Sequence, residues 1–270
     1  MTTFHIVFAH LPFVLYVLAA VLTVRAVRRA PGQRSILATA AAQLGALLHA
    51  WVLFGAIRTP NGVVLAITDS ASLVGWVVAA TTAIAMAFLP LAALPAALLI
   101  VAGLLASGTG LVSGFREIHE PMWELNAHIS LAALAAGWLT IAATVVLLLA
   151  WQDTRIRTRR PLGILALLPP VETMETTLFR ALGAGFAVLT LALLTGLFFV
   201  TNAVAQHLAH KIALALVAWV VFGVLLIGRV RYGWRGRKAL RFTIVGFVAL
   251  ALAYFGSKFV LETLLGRHWG

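Results

Sequence analysis

The chain has 270 residues, 62% of them hydrophobic and only 10% charged, with a formal net charge of +12 and no cysteine. That apolar excess lies outside the range of soluble domains and marks an all-α polytopic membrane protein, since a β-barrel would alternate polar and apolar residues instead. The missing cysteine excludes disulfides, thiolate metal sites, iron–sulfur ligation and a c-type haem attachment motif, and basic residues gathered at helix ends point to topology and anionic lipid, with no nucleic acid as partner.

An apolar run of about 20 residues matches a hydrocarbon core of about 30 Å at about 1.5 Å per residue. Taken in order, such runs predict helix one at 4–24, broken lightly at Pro12 and followed by Arg25, Arg28, Arg29 and Arg34. Only Met1-Thr-Thr precedes it, so no cleavable leader is expected. Helix two is expected at 35–57, and Thr59-Pro-Asn-Gly62 then signals a turn. Helix three is expected at 72–89, a tight uncharged turn at Pro90 and Pro95, and helix four at 96–112. A polar segment at 113–127 leads to helix five at 128–151. The segment 152–180 carries Arg155, Arg157, Arg159, Arg160 and Arg180, and its apolar stretch 162–168 is too short to span, so it is read as interfacial. Helix six is expected at 181–203, followed by a hairpin of apolar runs at 212–228 and 242–265 around a basic turn, Arg229-Val-Arg231-Tyr-Gly-Trp-Arg235-Gly-Arg237-Lys238-Ala-Leu-Arg241.

This gives eight transmembrane helices, N-out/C-out, in a single transmembrane domain over 1–270. Fifteen Lys/Arg fall in the segments read as inner and five in those read as outer. The excess on one side orients the chain by the positive-inside rule. The small-residue run from Gly103 to Gly110 is expected to allow close helix contact. Trp76, Trp138 and Trp219 are deep enough to be packing residues, whereas Trp51, Trp123, Trp151, Trp234 and Trp269 lie near the interfaces. No internal repeat, paired carboxylates or nucleophile–base spacing is evident, and few polar residues line a midplane path.

The eight histidines, His5, His10, His49, His119, His128, His207, His210 and His268, all fall in outer segments or in the outer half of a helix. Imidazole ligates haem iron and transition metals, so this one-sidedness suggests an outward-facing ligand site. The competing reading differs by residue. His49, inside helix two, suits a hydrogen bond between helices as well as a ligand role. His210-Lys211 opens helix seven, where free N–H groups and the helix dipole favour an anion such as a haem propionate, or serve as a plain cap.

Several stretches carry a family resemblance: His210-Lys211 through Trp219, Gly233-Trp-Arg-Gly-Arg237, Tyr254-Phe-Gly-Ser-Lys258-Phe-Val-Leu-Glu262, Leu168-Pro-Pro-Val-Glu-Thr-Met-Glu175 with Phe179-Arg180, and His49-Ala ahead of Ser72-Leu-Val-Gly-Trp76. On these residues the chain resembles the YpjD/HemX-like inner-membrane proteins of the cytochrome c assembly (CcsA/ResC-type) superfamily. The resemblance implies a multi-pass protein of the bacterial inner (plasma) membrane, surrounded by membrane lipid and working with other cytochrome c assembly proteins. It implies haem as cofactor at the outer face, with His128 and His268 in the positions of two outer histidines that ligate the iron. His210, Lys211 and His49 are the further candidate cofactor-binding residues. The superfamily's Trp-rich outer loop is replaced here by Thr201-Asn-Ala-Val-Ala-Gln-His-Leu-Ala-His210, without tryptophan or acid. That departure argues against a haem-lyase-like enzyme and for a protein that holds or presents haem. The alternatives are a cofactor-free permease subunit or a regulatory membrane partner, for example of haem synthesis, and a transition-metal site built from clustered histidines.

Overall fold

A backbone inside hydrocarbon has no water to satisfy it, and this chain satisfies itself by forming helices. The computed structural model describes residues 3–59, 62–64, 66–109, 117–119, 123–199 and 209–256. Among them are eight α-helices: α1 (Thr3–Arg29), α2 (Ile36–Ile57), α3 (Ile67–Phe88), α4 (Leu94–Ala106), α5 (Trp123–Arg157), α6 (Val171–Phe199), α7 (Ala209–Tyr232) and α8 (Arg237–Ala251). Six of these, α1, α2, α3, α5, α6 and α7, are long and apolar enough to cross a membrane. By contrast α4 has 13 residues, and α8 has 15 before it passes into a π-helical turn, Leu252–Gly256. The connection after α5 contains a short 3-10 helix, Gly163–Leu167, within the stretch read as interfacial. Exposed Leu47, Phe88, Leu104, Leu197 and Ile227 show the apolar outer faces expected of helices solvated by lipid.

Chain chemistry sets the helix ends. The last turn of α1 carries Arg28 and Arg29, which complement its dipole, and Gly32 turns the chain at φ +82°. The Ser35 hydroxyl accepts from Ala38 N–H at 3.2 Å to cap α2. Several ends depart from the sequence reading. Helix α5 runs Trp123–Arg157 rather than 128–151 and α6 starts at Val171 rather than 181, so both reach into the segment read as interfacial. Two further ends show their cause. Helix α3 starts at Ile67 rather than 72, because the Asp69 carboxylate accepts from the Ala66 N–H at 3.3 Å and caps the polar stretch that reads as loop. Helix α4 stops at Ala106 rather than 112, where Ser107 and Thr109 turn their hydroxyls back onto the carbonyls of Leu104 and Ala106, each at 2.7 Å. Three short strands also appear: β1 (Arg58–Thr59), β2 (Gly62–Val64) and β3 (Glu117–His119) pair antiparallel in that order, with Gly62 opposite His119.

The chain divides into two compact units, Met1–His119 with Gln152–Thr173, and Glu120–Trp151 with Met174–Gly270. In the first unit small residues let helices approach closely. A Cβ on Gly45 would stand 2.9 Å from the Tyr16 ring, one on Gly75 would stand 2.8 Å from the Ala102 carbonyl, and one on Gly103 would stand 2.9 Å from Phe13. One end of this unit is joined by the β2–β3 pairing; at the other, Arg34 donates to the Ala87 carbonyl and Ala93 N–H to the Leu167 carbonyl.

In the second unit α5 and α6 run antiparallel with a regular register: Gly185 meets Leu139, and eleven residues on in α6 and eleven back in α5 Gly196 meets His128. Gly223 on α7 faces Phe186, and Gly246 on α8 faces Phe222. Trp219 stacks on Phe186 and donates its indole N–H to the Thr190 hydroxyl at 2.9 Å. At the end holding the basic turn, the Arg229 guanidinium lies 4.6 Å over the Phe179 ring and 3.9 Å from the Glu175 carboxylate, and Lys238 sits over Trp234.

Candidate functional site

The predicted ligand residues fall into different environments. His49 belongs to the first unit and is fully buried. Its Nδ1 lies 3.1 Å from the Tyr16 hydroxyl and its Nε2 2.7 Å from the Ser72 hydroxyl, which in turn lies 2.5 Å from the Thr109 hydroxyl. The directions follow from proton counting. Thr109 spends its proton on the Ala106 carbonyl, so Ser72 donates to Thr109 and accepts from His49 Nε2–H. Nδ1 then accepts from Tyr16. This chain of donors ties α1, α2 and α3 to the end of α4, and it engages both imidazole nitrogens. A metal at His49 would have to displace one of these partners.

His128 belongs to the second unit, in the second turn of α5, and is half-buried. Its Nδ1 lies 3.2 Å from the Thr195 hydroxyl of α6, and a Cβ on Gly196 would stand 3.1 Å from its Cε1. The ring therefore packs close against α6, and a Cβ at Gly196 would require it to give by a few tenths of an ångström. Lys211 sits in the first turn of α7, half-exposed and engaged with a neighbour. The backbone of His210 starts the same turn, but its side chain lies outside the described residues, as does His268 entirely. Among the described residues no three His, Asp or Glu side chains gather to hold a metal ion.

Sequence reasoning missed the partners: Tyr16, Ser72 and Thr109 around His49, and Thr195 and Gly196 against His128. Thr195 stands beside a glycine near the outer end of helix six, and that adjacency was the available signal. Asp69, 4% exposed, was also missed; it caps α3 from inside a helix rather than lying in a loop.

Comparison with known proteins agrees with this architecture. The family described as Cytochrome C assembly protein matches residues 37–265. The inner membrane protein YpjD of Escherichia coli (strain K12) is 39% identical over 137 residues, 51% of this chain and 52% of that protein. An uncharacterized 28.8 kDa protein of Azospirillum brasilense is 37% identical over 145 residues, 53% of each chain. The cytochrome c biogenesis protein CcsA of Gloeobacter violaceus is 28% identical over 100 residues, 36% of this chain and 30% of that protein. The alignments span about half the length of the first two relatives. No solved structure matches. With more than half of its length matched by one family, and with the helices and paired motifs of a polytopic membrane protein, this chain belongs to the cytochrome c assembly protein family.

Proposed function

We propose that the chain holds or presents haem at the outer face of the bacterial inner membrane during cytochrome c assembly. It crosses that membrane eight times as a single transmembrane domain with both ends outside, α4 and α8 adding to the six long apolar helices. His128 and His268 ligate the iron, while His210, Lys211 and the first turn of α7 meet the propionates. His49 ties the helices of the first unit together through both ring nitrogens. Arginines at 25–34, 155–160 and 229–241 hold the orientation and bind anionic lipid. The role is one of holding rather than catalysis, in keeping with the sequence at 201–210, which carries no tryptophan. Support for the membrane comes from the name of the inner membrane protein YpjD, and support for the assembly role from the family and from the CcsA relatives. Other cytochrome c assembly proteins are the expected partners.

One observation carries the reading: His128 turns Nδ1 to a hydroxyl of the adjoining helix, the orientation that metal-ligating histidines use to free the other nitrogen. The visible spectrum of the detergent-purified protein, oxidised and reduced, tests it. A Soret band that is lost in His128→Ala and in His268→Ala is the expected result. If the wild type gives no band before or after haem addition, the reading fails. A cofactor-free partner subunit is then the better account, and the wholly satisfied His49 is the observation that favours it.

A further inference from the structure

The His128 ring rests on a short stretch of α6 formed by Ala192, Thr195 and Gly196. Thr195 has a single hydroxyl proton, and it points to the Ala192 carbonyl at 2.9 Å. The Thr195 oxygen therefore meets His128 Nδ1, 3.2 Å away, with lone pairs only. An acceptor on α6 requires an N–H directed at it, and Nδ1 supplies it. A neutral imidazole has one ring proton, so Nε2 is left with its lone pair. Gly196 leaves room for the arrangement, because a Cβ there would stand 3.1 Å from Cε1 and the ring would have to give slightly.

We infer that Thr195 is a positioning residue: it holds His128 as the Nδ1–H tautomer and thereby presents the Nε2 lone pair to haem iron. The iron-directed half of this inference rests on the haem reading proposed above; the tautomer half does not. The contrast with His49 is direct. There the proton sits on Nε2 and is given to Ser72, and Nδ1 accepts from Tyr16. Two histidines of one chain thus hold opposite tautomers because their hydroxyl partners are set in opposite senses.

The test uses the full-length protein in detergent or lipid, labelled with 15N-histidine, free of haem and then titrated with hemin. Nitrogen shifts assigned through His128→Gln report the tautomer without any need for haem. The wild type is expected to show His128 protonated at Nδ1. Thr195→Val should redistribute it toward Nε2–H, and Thr195→Ser should restore the wild-type state. Hemin affinity should fall about 10–100-fold in Thr195→Val and recover in Thr195→Ser, as for loss of a partner behind a metal ligand. A wild type protonated at Nε2, or a tautomer indifferent to Thr195→Val, overturns the inference whether or not haem binds. A tautomer that follows Thr195 in a protein that takes up no hemin upholds the lock and overturns the haem reading. Should Thr195→Val fail to fold, Thr195→Ala and Thr195→Ser carry the same comparison.

Discussion

Read from sequence, His49 suits a bond between helices as well as a ligand role, and the family resemblance puts His128 in a ligand's place, but no partner of either is legible. Their difference lies in partners drawn from 33 and 23 positions away for His49, and from 67 positions away for His128. Residues so far apart meet only once helix register is settled, which is why one sequence read alone names none of these partners. The His49 network makes a residue-level prediction. An interhelical hydrogen bond within a membrane averages only about 0.6 kcal/mol, so Ser72→Ala should cost about 1 kcal/mol or less. His49→Ala also empties a fully buried site and strands Tyr16 and Ser72, and should cost about 2–4 kcal/mol. Thermal unfolding in detergent measures both. The folded fraction of His49→Ala should keep any haem spectrum of the wild type; its loss there would show that His49 is a ligand and that the network reading is wrong.

At the scale of elements, the apolar runs located all eight helices, because hydropathy is a local property. It could not locate their ends. With Asp69 as its cap, α3 starts at Ile67, five residues before the apolar run begins, and Ser107 and Thr109 close α4 inside a stretch that still looks helical. The strands escaped notice for a related reason: Gly62 finds its partner at His119, across two helices. Motifs that carried the family resemblance prove to be contacts. His49 and Ser72 bond directly, Trp76 donates to the Ala46 carbonyl, and Glu175 and Phe179 meet Arg229 near Trp234. Helix α6 also supplies a matched pair of glycines for testing its contact with α5. Gly183 has open space where a Cβ would stand, whereas at Gly185 a Cβ would lie 2.8 Å from Leu139. Gly183→Ala should therefore be neutral or stabilise by up to about 1 kcal/mol through helix propensity. Gly185→Ala should destabilise by about 1–3 kcal/mol, through overpacking. Equal melting temperatures for the two variants would mean that α5 and α6 do not pack in this register.

For the whole molecule the open question is which way the ends face, and the decisive segment is the one without charge. The turn between α3 and α4 holds Pro90, Leu91, Ala92 and Ala93 and no Lys or Arg, so the positive-inside rule says nothing of it directly. Its side follows from its neighbours. Arg34, after the arginines that end α1, donates to Ala87 at the end of α3, and Ala93 N–H donates to Leu167 within the connection that carries Arg155 to Arg160. Two basic segments thus hold the uncharged turn at their own end, and the short α4 must start there. Because the natural chain has no cysteine, single cysteines report on this without a background. Ala92→Cys, Arg159→Cys and Arg235→Cys should react with a membrane-impermeant maleimide only after cells are permeabilised. Arg58→Cys, at the start of β1, should react in intact spheroplasts. If Ala92→Cys labels from outside while Arg159→Cys does not, α3 and α4 fail to form a pair of spans, and the eight-span, both-ends-out topology falls with them. If all four behave as expected, the end of α5 that bears His128 faces outward, where an assembly partner would have to meet any haem that it holds.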